Sequence, residues 1–281
     1  MDGGAGLSPA TLTALIALVR KHTGIAMTER KSVLLEGRLR PRMRALAIGS
    51  YQAYLDKVEQ DREEIAHFID LVTTNDTLFF RTPQVWDYVE KEFLPHWWRE
   101  HPGERLKLWS AAASSGEELY SLAILCEEFA AVAPGFSYQI NGTDISRQIL
   151  EVARAGRYAG RSVDKLRAAY PDRVKKYFKA GGNGLQVVES LKKNVELAQH
   201  NLLVPLKSGK RFDLVLLRNV LIYFDREHTE TVLRQAALSM APHARLIVGE
   251  SESISGLNTA YKFVRPMIYQ LEQAVPSCKQ L

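Results

Sequence analysis

The sequence has few cysteines, no long apolar run and no large excess of one charge, and each shortage excludes a class of protein. Cys126 and Cys278 are the only cysteines in 281 residues. That is too few for a disulfide-stapled secreted fold, and the expected setting is a reducing cytoplasm. No uncharged apolar stretch approaches the roughly 20 residues that cross a bilayer, so no direct membrane insertion is expected. The short apolar stretch Ala10–Val19 follows an acidic start and reads as a helix, not as a signal peptide. The seven histidines form no H-E-x-x-H and no Cys/His cluster, so no metal site is expected. G-x-S-x-G is missing, which removes the nucleophile elbow of α/β-hydrolases.

What is present is ordinary globular composition, 46% hydrophobic and 25% charged, in a length that suits about two domains. The net charge of +5 comes from 37 basic and 32 acidic residues. Most of the surplus falls between Thr28 and Leu46, where Arg30, Lys31, Arg38, Arg40, Arg42 and Arg44 face only Glu29 and Glu36. Such a mild excess suits an acidic partner and falls short of a dedicated nucleic-acid binder.

Ser8-Pro9 reads as an N-cap and first-turn pair. Apolar residues then recur at helical spacing: Leu12, Leu15, Ile16, Val19; Tyr51, Tyr54, Leu55, Val58; and Ile65, Phe68, Ile69, Val72. Residues 1–72 are expected to form a small helical domain, its basic helix kinked or restarted at Pro41. Residues 73–85 read as a linker. From 86 to 275 strands and helices alternate: Leu106–Ala111, Leu119–Val132, Tyr138–Thr143, Ser146–Ala155, Phe212–Leu217, Arg226–Met240 and Arg245–Gly249. That alternation predicts a doubly wound, Rossmann-like α/β domain. Gly181, Gly182, Asn183 and Gly184 separate two β-prone runs and predict a small antiparallel β insertion at about 174–198. Residues 276–281 read as a frayed tail.

In a doubly wound sheet the ligand lies at the carboxyl ends of the strands. The first such turn is Ala111-Ala112-Ala113-Ser114-Ser115-Gly116-Glu117-Glu118, whose small side chains admit a ligand close to the backbone. Ser114 and Glu117 also match a capping box, in which the acids merely complement the helix dipole. There is no G-x-G-x-x-G, and two carboxylates at a helix N-terminus repel a pyrophosphate. A partly cationic ligand tolerates them, and S-adenosylmethionine, with its sulfonium and ammonium, is of that kind. Asp144 ends the second strand, placed either to accept from ribose hydroxyls or to cap the next helix. Arg218 and Asn219 stand out as polar residues at an apolar strand end, while Tyr223 reads equally well as core.

The stretches TTNDTLFFR (Thr73–Arg81), WSAAASSGEELYSLAI (Trp109–Ile124), GTDIS (Gly142–Ser146), HNLL (His200–Leu203) and RNVLIYFD (Arg218–Asp225) occur in the order found in CheR-type chemotaxis methyltransferases, and the chain resembles that family from about Leu12 to Leu271. The resemblance implies transfer of the S-adenosylmethionine methyl group to glutamates on the cytoplasmic helices of chemotaxis receptors, leaving S-adenosylhomocysteine. It implies cofactor contacts from Asn75, Thr77, Arg81, Glu117, Asp144, Asn201, Leu202, Asn219 and Val220. Arg81 and Tyr223 are the implied residues flanking the reacting methyl and carboxylate. Arg38, Arg40, Arg42 and Arg44 are expected to steer the acidic receptor helices. Asp76 and Leu119 depart from the residues common in the family at those places. The glycine-rich hairpin also looks shorter than in members that tether to a receptor pentapeptide by strand addition, which predicts action without a tether.

A nucleic-acid methyltransferase is the nearest enzymatic rival, and the absence of an N/D-P-P-Y/F motif argues against it. A catalytically silent adaptor is the other. A monomer is the default expectation.

Overall fold

The computed structural model describes residues 6–207 and 209–272; Cys278 and the expected tail lie outside them. The N-terminal part is helical: α1 (Pro9–Thr23), α2 (Ser32–Ala45), α3 (Tyr51–Gln60) and α4 (Arg62–Val72). Ser8 caps α1 by accepting from the Thr11 N–H at 3.2 Å, with Pro9 in the first turn. Leu15, Val19, Leu35, Leu39, Tyr54, Val58 and Phe68 are fully or almost fully buried in one small core. Pro41 does not restart α2, which runs unbroken through it from Ser32 to Ala45. Both Pro41 and Gly37, whose carbonyl loses its donor, are exposed, which leaves that carbonyl open to solvent.

A continuous helical stretch follows: α5 (Pro83–Tyr88), a π-helical turn over Val89–Phe93, and α6 (Leu94–Glu100). The α/β domain then comprises β1 (Arg105–Ser110), α7 (Glu117–Ala130), β2 (Ser137–Asp144), α8 (Arg147–Ala155), β3 (Arg157–Tyr158), α9 (Arg161–Ala169) and α10 (Pro171–Tyr177). It continues through β4 (Phe178–Gly181), β5 (Gly184–Val187), α11 (Glu189–Lys192), β6 (Val195–Gln199), β7 (Phe212–Leu217), α12 (Arg226–Leu238), β8 (Met240–Val248), β9 (Tyr261–Arg265) and β10 (Ile268–Leu271).

The main sheet has the order β6-β2-β1-β7-β8-β10-β9. The strands from β6 to β8 are parallel, and β10 runs antiparallel to both β8 and β9. Alternate residues serve two buried layers: Leu108, Leu214 and Leu216 face one, while Trp109, Val215 and Leu217 face the other. The strand order reverses between β1 and β7, so the switch point that collects ligands lies at their carboxyl ends.

The β insertion differs from the expected span of 174–198. Its sheet has the order β3-β5-β4, beginning at Arg157 and ending at Val187. Residues Val195–Gln199 instead pair in parallel with β2. The alternate side chains Val195 and Leu197 pack on the main core, and that burial draws the segment to the large sheet.

Candidate functional site

At the end of β1 the Ser114 N–H donates to Asp144 Oδ2 at 2.9 Å, and the Ser146 N–H donates to Oδ1 at 3.0 Å. Burial pushes the Asp144 carboxyl above its ordinary value, and these backbone donors only partly offset that. The expected capping box does not form. Gly116, at φ +98°, is the N-cap of α7, and a Cβ there would meet the Tyr158 hydroxyl at 2.9 Å. With the turn reshaped in this way, the Ser114 hydroxyl reaches the Asn75 carbonyl at 3.1 Å, and Glu117 accepts from the Ser115 hydroxyl at 2.5 Å.

The segment after α4 is anchored at both ends. Arg38 donates to the carbonyls of Val72 and Thr73 at 2.8 and 3.0 Å and to the Thr74 hydroxyl at 3.1 Å. Phe79 and Phe80 are buried; Phe79 packs edge-on against Tyr158 and Phe178. The Phe80 N–H donates to the Ser121 hydroxyl at 2.9 Å. Phe80 and Thr82 have φ of +50° and +62°, left-handed conformations that this packing holds in place.

At the end of β7, Arg218 is buried and pairs with Glu118 at 3.0 Å. Its other terminal nitrogen donates to the Arg81 carbonyl at 2.8 Å, while its Nε is buried without a partner. Glu118 also accepts from the Ser110 hydroxyl at 2.8 Å. Burial pushes the Glu118 carboxyl up, and the Arg218 charge pulls it back part of the way.

The helical domain completes the wall. Asn201 Nδ2 donates to the His22 carbonyl at 2.9 Å, and the Ala26 N–H donates to the Tyr223 carbonyl at 2.8 Å. Ile25 and Phe224 form an isolated antiparallel bridge. Gly24, at φ +75°, sits where a Cβ would lie 2.8 Å from Leu203.

These elements line one pocket at the carboxyl ends of the strands. Asn75, Thr77, Arg81, Asp144, Asn201, Leu202, Asn219, Val220 and Tyr223 all line it. Glu117 does not; Glu118 takes a place in the wall instead. Sequence reading missed Thr23 and Ile25, which also line it, because nothing local marks a helix end as part of a distant pocket. It singled out Arg218 but not its partner Glu118. Two opposite charges beside small residues at neighbouring strand ends were the available signal.

The four arginines of α2 do not form one free basic face. Arg38 holds the linker. Arg42 donates twice to the buried Glu64, at 3.0 and 2.7 Å, and Tyr54 donates to the same carboxylate at 2.9 Å. Arg40 donates to the Tyr51 hydroxyl and to Glu36, both at 3.0 Å, while Arg44 is exposed. Arg38 and Arg42 thus direct their guanidinium donors to the linker and to Glu64.

The pocket's chemistry fits S-adenosylmethionine. Asp144 offers a carboxylate where ribose hydroxyls bind in such sheets. The Glu118 carboxylate in the wall is balanced by Arg218, and no pyrophosphate cradle is present. No described helix is long and apolar enough to cross a membrane.

Comparison with known proteins agrees with this fit. The family model for the CheR methyltransferase all-alpha domain matches residues 10–73, and that for the CheR methyltransferase SAM binding domain matches residues 75–269. The chain is 33% identical over 252 residues to chemotaxis protein methyltransferase 1 of Pseudomonas aeruginosa, covering 88% of this chain and 91% of that protein. It is 32% identical over 264 residues to chemotaxis protein methyltransferase Cher2 of Pseudomonas putida, covering 90% and 94%. It is 33% identical over 274 residues to the chemotaxis protein methyltransferase of Salmonella typhimurium, covering 95% and 92%.

Proposed function

The chain belongs to the CheR methyltransferase family and is an S-adenosylmethionine-dependent methyltransferase, and on that premise we propose that its acceptors are glutamate carboxylates on the cytoplasmic helices of chemotaxis receptors. The products are glutamate methyl esters and S-adenosylhomocysteine, and the setting is the cytoplasm. The observation that carries this reading is the pocket itself. One cavity at the sheet's switch point gathers Asp144, the anchored linker with Arg81, and the loop with Asn219 and Tyr223.

The cofactor supplies an electrophilic methyl group on a sulfonium. For the protein we assign Asn75, Thr77, Arg81, Asp144, Asn201, Leu202, Asn219 and Val220 to holding it, with Glu118 in the place first given to Glu117. A glutamate acceptor is already ionised at neutral pH, so no general base is required. The remaining task is in-line positioning and partial exclusion of water. Arg81 orients the acceptor carboxylate by charge-assisted hydrogen bonds, and Tyr223 flanks the methyl. Of the basic helix, Arg44 and Arg40 remain on the outside to meet acidic receptor helices.

We also propose that methylation proceeds without a receptor tether. The β4–β5 hairpin turns through Gly182 and Asn183 alone, and its strands are four residues each, which supports a weak platform for an added strand. A tight, specific complex with a free receptor C-terminal pentapeptide would defeat this.

The main test uses methyl-labelled S-adenosylmethionine and a receptor cytoplasmic fragment. Label that enters the fragment and leaves as methanol in mild alkali is the expected result. Alkali-stable label would overturn the ester assignment. Tight cofactor binding with no transfer to any receptor fragment would favour an adaptor.

A further inference from the structure

Glu252 has no part in the roles assigned above, yet it is buried, with 8% exposure, and its carboxylate gathers the backbone of the loop after β7. Oε2 accepts from the Asn219 N–H at 2.8 Å and from the Gly249 N–H at 2.6 Å, and Oε1 accepts from the Ile222 N–H at 3.3 Å. Asn219 has φ +58°, a left-handed conformation that a residue with a side chain keeps only where its surroundings impose it. A Cβ on Gly249 would lie 2.6 Å from Glu252 Oε2, 2.7 Å from Asn219 Nδ2 and 2.9 Å from Asn219 N. The three residues close on one another only because position 249 has no side chain.

Glu252 does not line the pocket, whereas Asn219, Val220 and Tyr223 do. We propose that Glu252 is a positioning residue for methyl transfer: its carboxylate clamps the strained 219–223 loop to the end of β8 and so holds Asn219, Val220 and Tyr223 in the conformation that binds cofactor. This rests on the reading of the pocket as the S-adenosylmethionine site. Without the carboxylate, the buried Gly249 N–H loses its acceptor and the left-handed Asn219 loses the contact that offsets its strain. An amide preserves most of the clamp. A glutamine carbonyl in the place of Oε2 keeps the two short bonds, and its NH2 group meets only the long contact to Ile222.

The test compares the full-length wild type with Glu252→Gln, Glu252→Ala and Glu252→Asp. Calorimetric binding of S-adenosylhomocysteine is measured alongside initial rates on a receptor fragment. Glu252→Gln is expected within about threefold of wild type in cofactor Kd. Glu252→Ala should be weakened about thirtyfold and Glu252→Asp, one methylene short, about tenfold. KM for cofactor rises with these losses while KM for the receptor fragment stays within about twofold. A scaffold role alone would lower the melting midpoint of Glu252→Ala and leave cofactor affinity of the folded protein unchanged, which overturns the proposal. Equal weakening by Gln and Ala overturns it too, because the charge and not the clamp would then matter. If Glu252→Ala does not fold, the Asp and Gln variants carry the test, and wild-type affinity in both overturns the proposal. A wild-type protein that binds no cofactor would sink the reading of the pocket instead.

Discussion

Asn201 Nδ2 donates to the main-chain carbonyl of His22 at 2.9 Å while its Oδ1 accepts from the Leu203 N–H at 3.0 Å. One pocket side chain thus fastens the end of α1 to the methyltransferase sheet. Asn201→Asp keeps an acceptor for Leu203 and loses the donor to His22. It should loosen the junction, and amide exchange at Ala26, whose N–H is bound to the Tyr223 carbonyl, should quicken at least severalfold. Cofactor affinity should fall about tenfold. Unchanged exchange at Ala26 would separate the two contacts.

Arg38 and Arg44 lie on the same helix and should fail in different ways. Arg38→Ala frees the linker carbonyls and should weaken cofactor binding about tenfold. Arg44→Ala leaves the pocket intact and should lower receptor methylation with no change in cofactor Kd. Equal cofactor affinity in both variants would remove the linker role of Arg38.

The Arg42–Glu64 pair should behave as a stability element. Burial pushes the Glu64 carboxyl up, but the hydrogen bonds from Arg42 and Tyr54 outweigh it and hold the group below its ordinary value. A depressed carboxyl contributes stability above its unfolded value, and that contribution is lost as pH falls through the folded one. Arg42→Ala should therefore cost about 2 kcal/mol at neutral pH, with a smaller difference from wild type in acid. Denaturant titrations at pH 7 and pH 3 read both.

Asp144 has the opposite sign. Burial raises its carboxyl above 3.8, so the folded apo protein holds the proton more tightly than the unfolded chain. The group's stability contribution accordingly grows as pH falls toward that value. Cofactor affinity should move the other way, dropping in acid as the acceptor carboxylate is lost. Asp144→Asn should bind more weakly at pH 7 and lose the acid limb. An acid limb that persists in Asp144→Asn would assign it to another group.

The alternation of strands and helices and the polar residues at strand ends were legible because both are local patterns. Short apolar runs, and polar or charged residues just after them, mark Asp144 and Arg218 without any neighbour being known. The linker contacts Asn75, Thr77 and Arg81 were legible through the motif TTNDTLFFR that carries the family resemblance. The exact wall was not legible. Glu117 and Glu118 differ by about 100° around α7, and only the docking of that helix on the sheet decides which carboxylate meets the pocket.

The sequence by itself determined a helical domain ahead of a doubly wound one and, through its family resemblance, named most of the residues that line the pocket. Periodicity and turn chemistry act over a few residues and can be read along the chain. Only the tertiary structure decided that Arg42 is paired with Glu64, that Arg38 holds the linker, that Glu118 meets Arg218, and that Thr23 at the end of α1 and Ile25 just beyond it complete the wall. Each of these joins residues far apart in the chain. Their partners are set by how amphipathic elements bury their faces against one another, which no local pattern encodes.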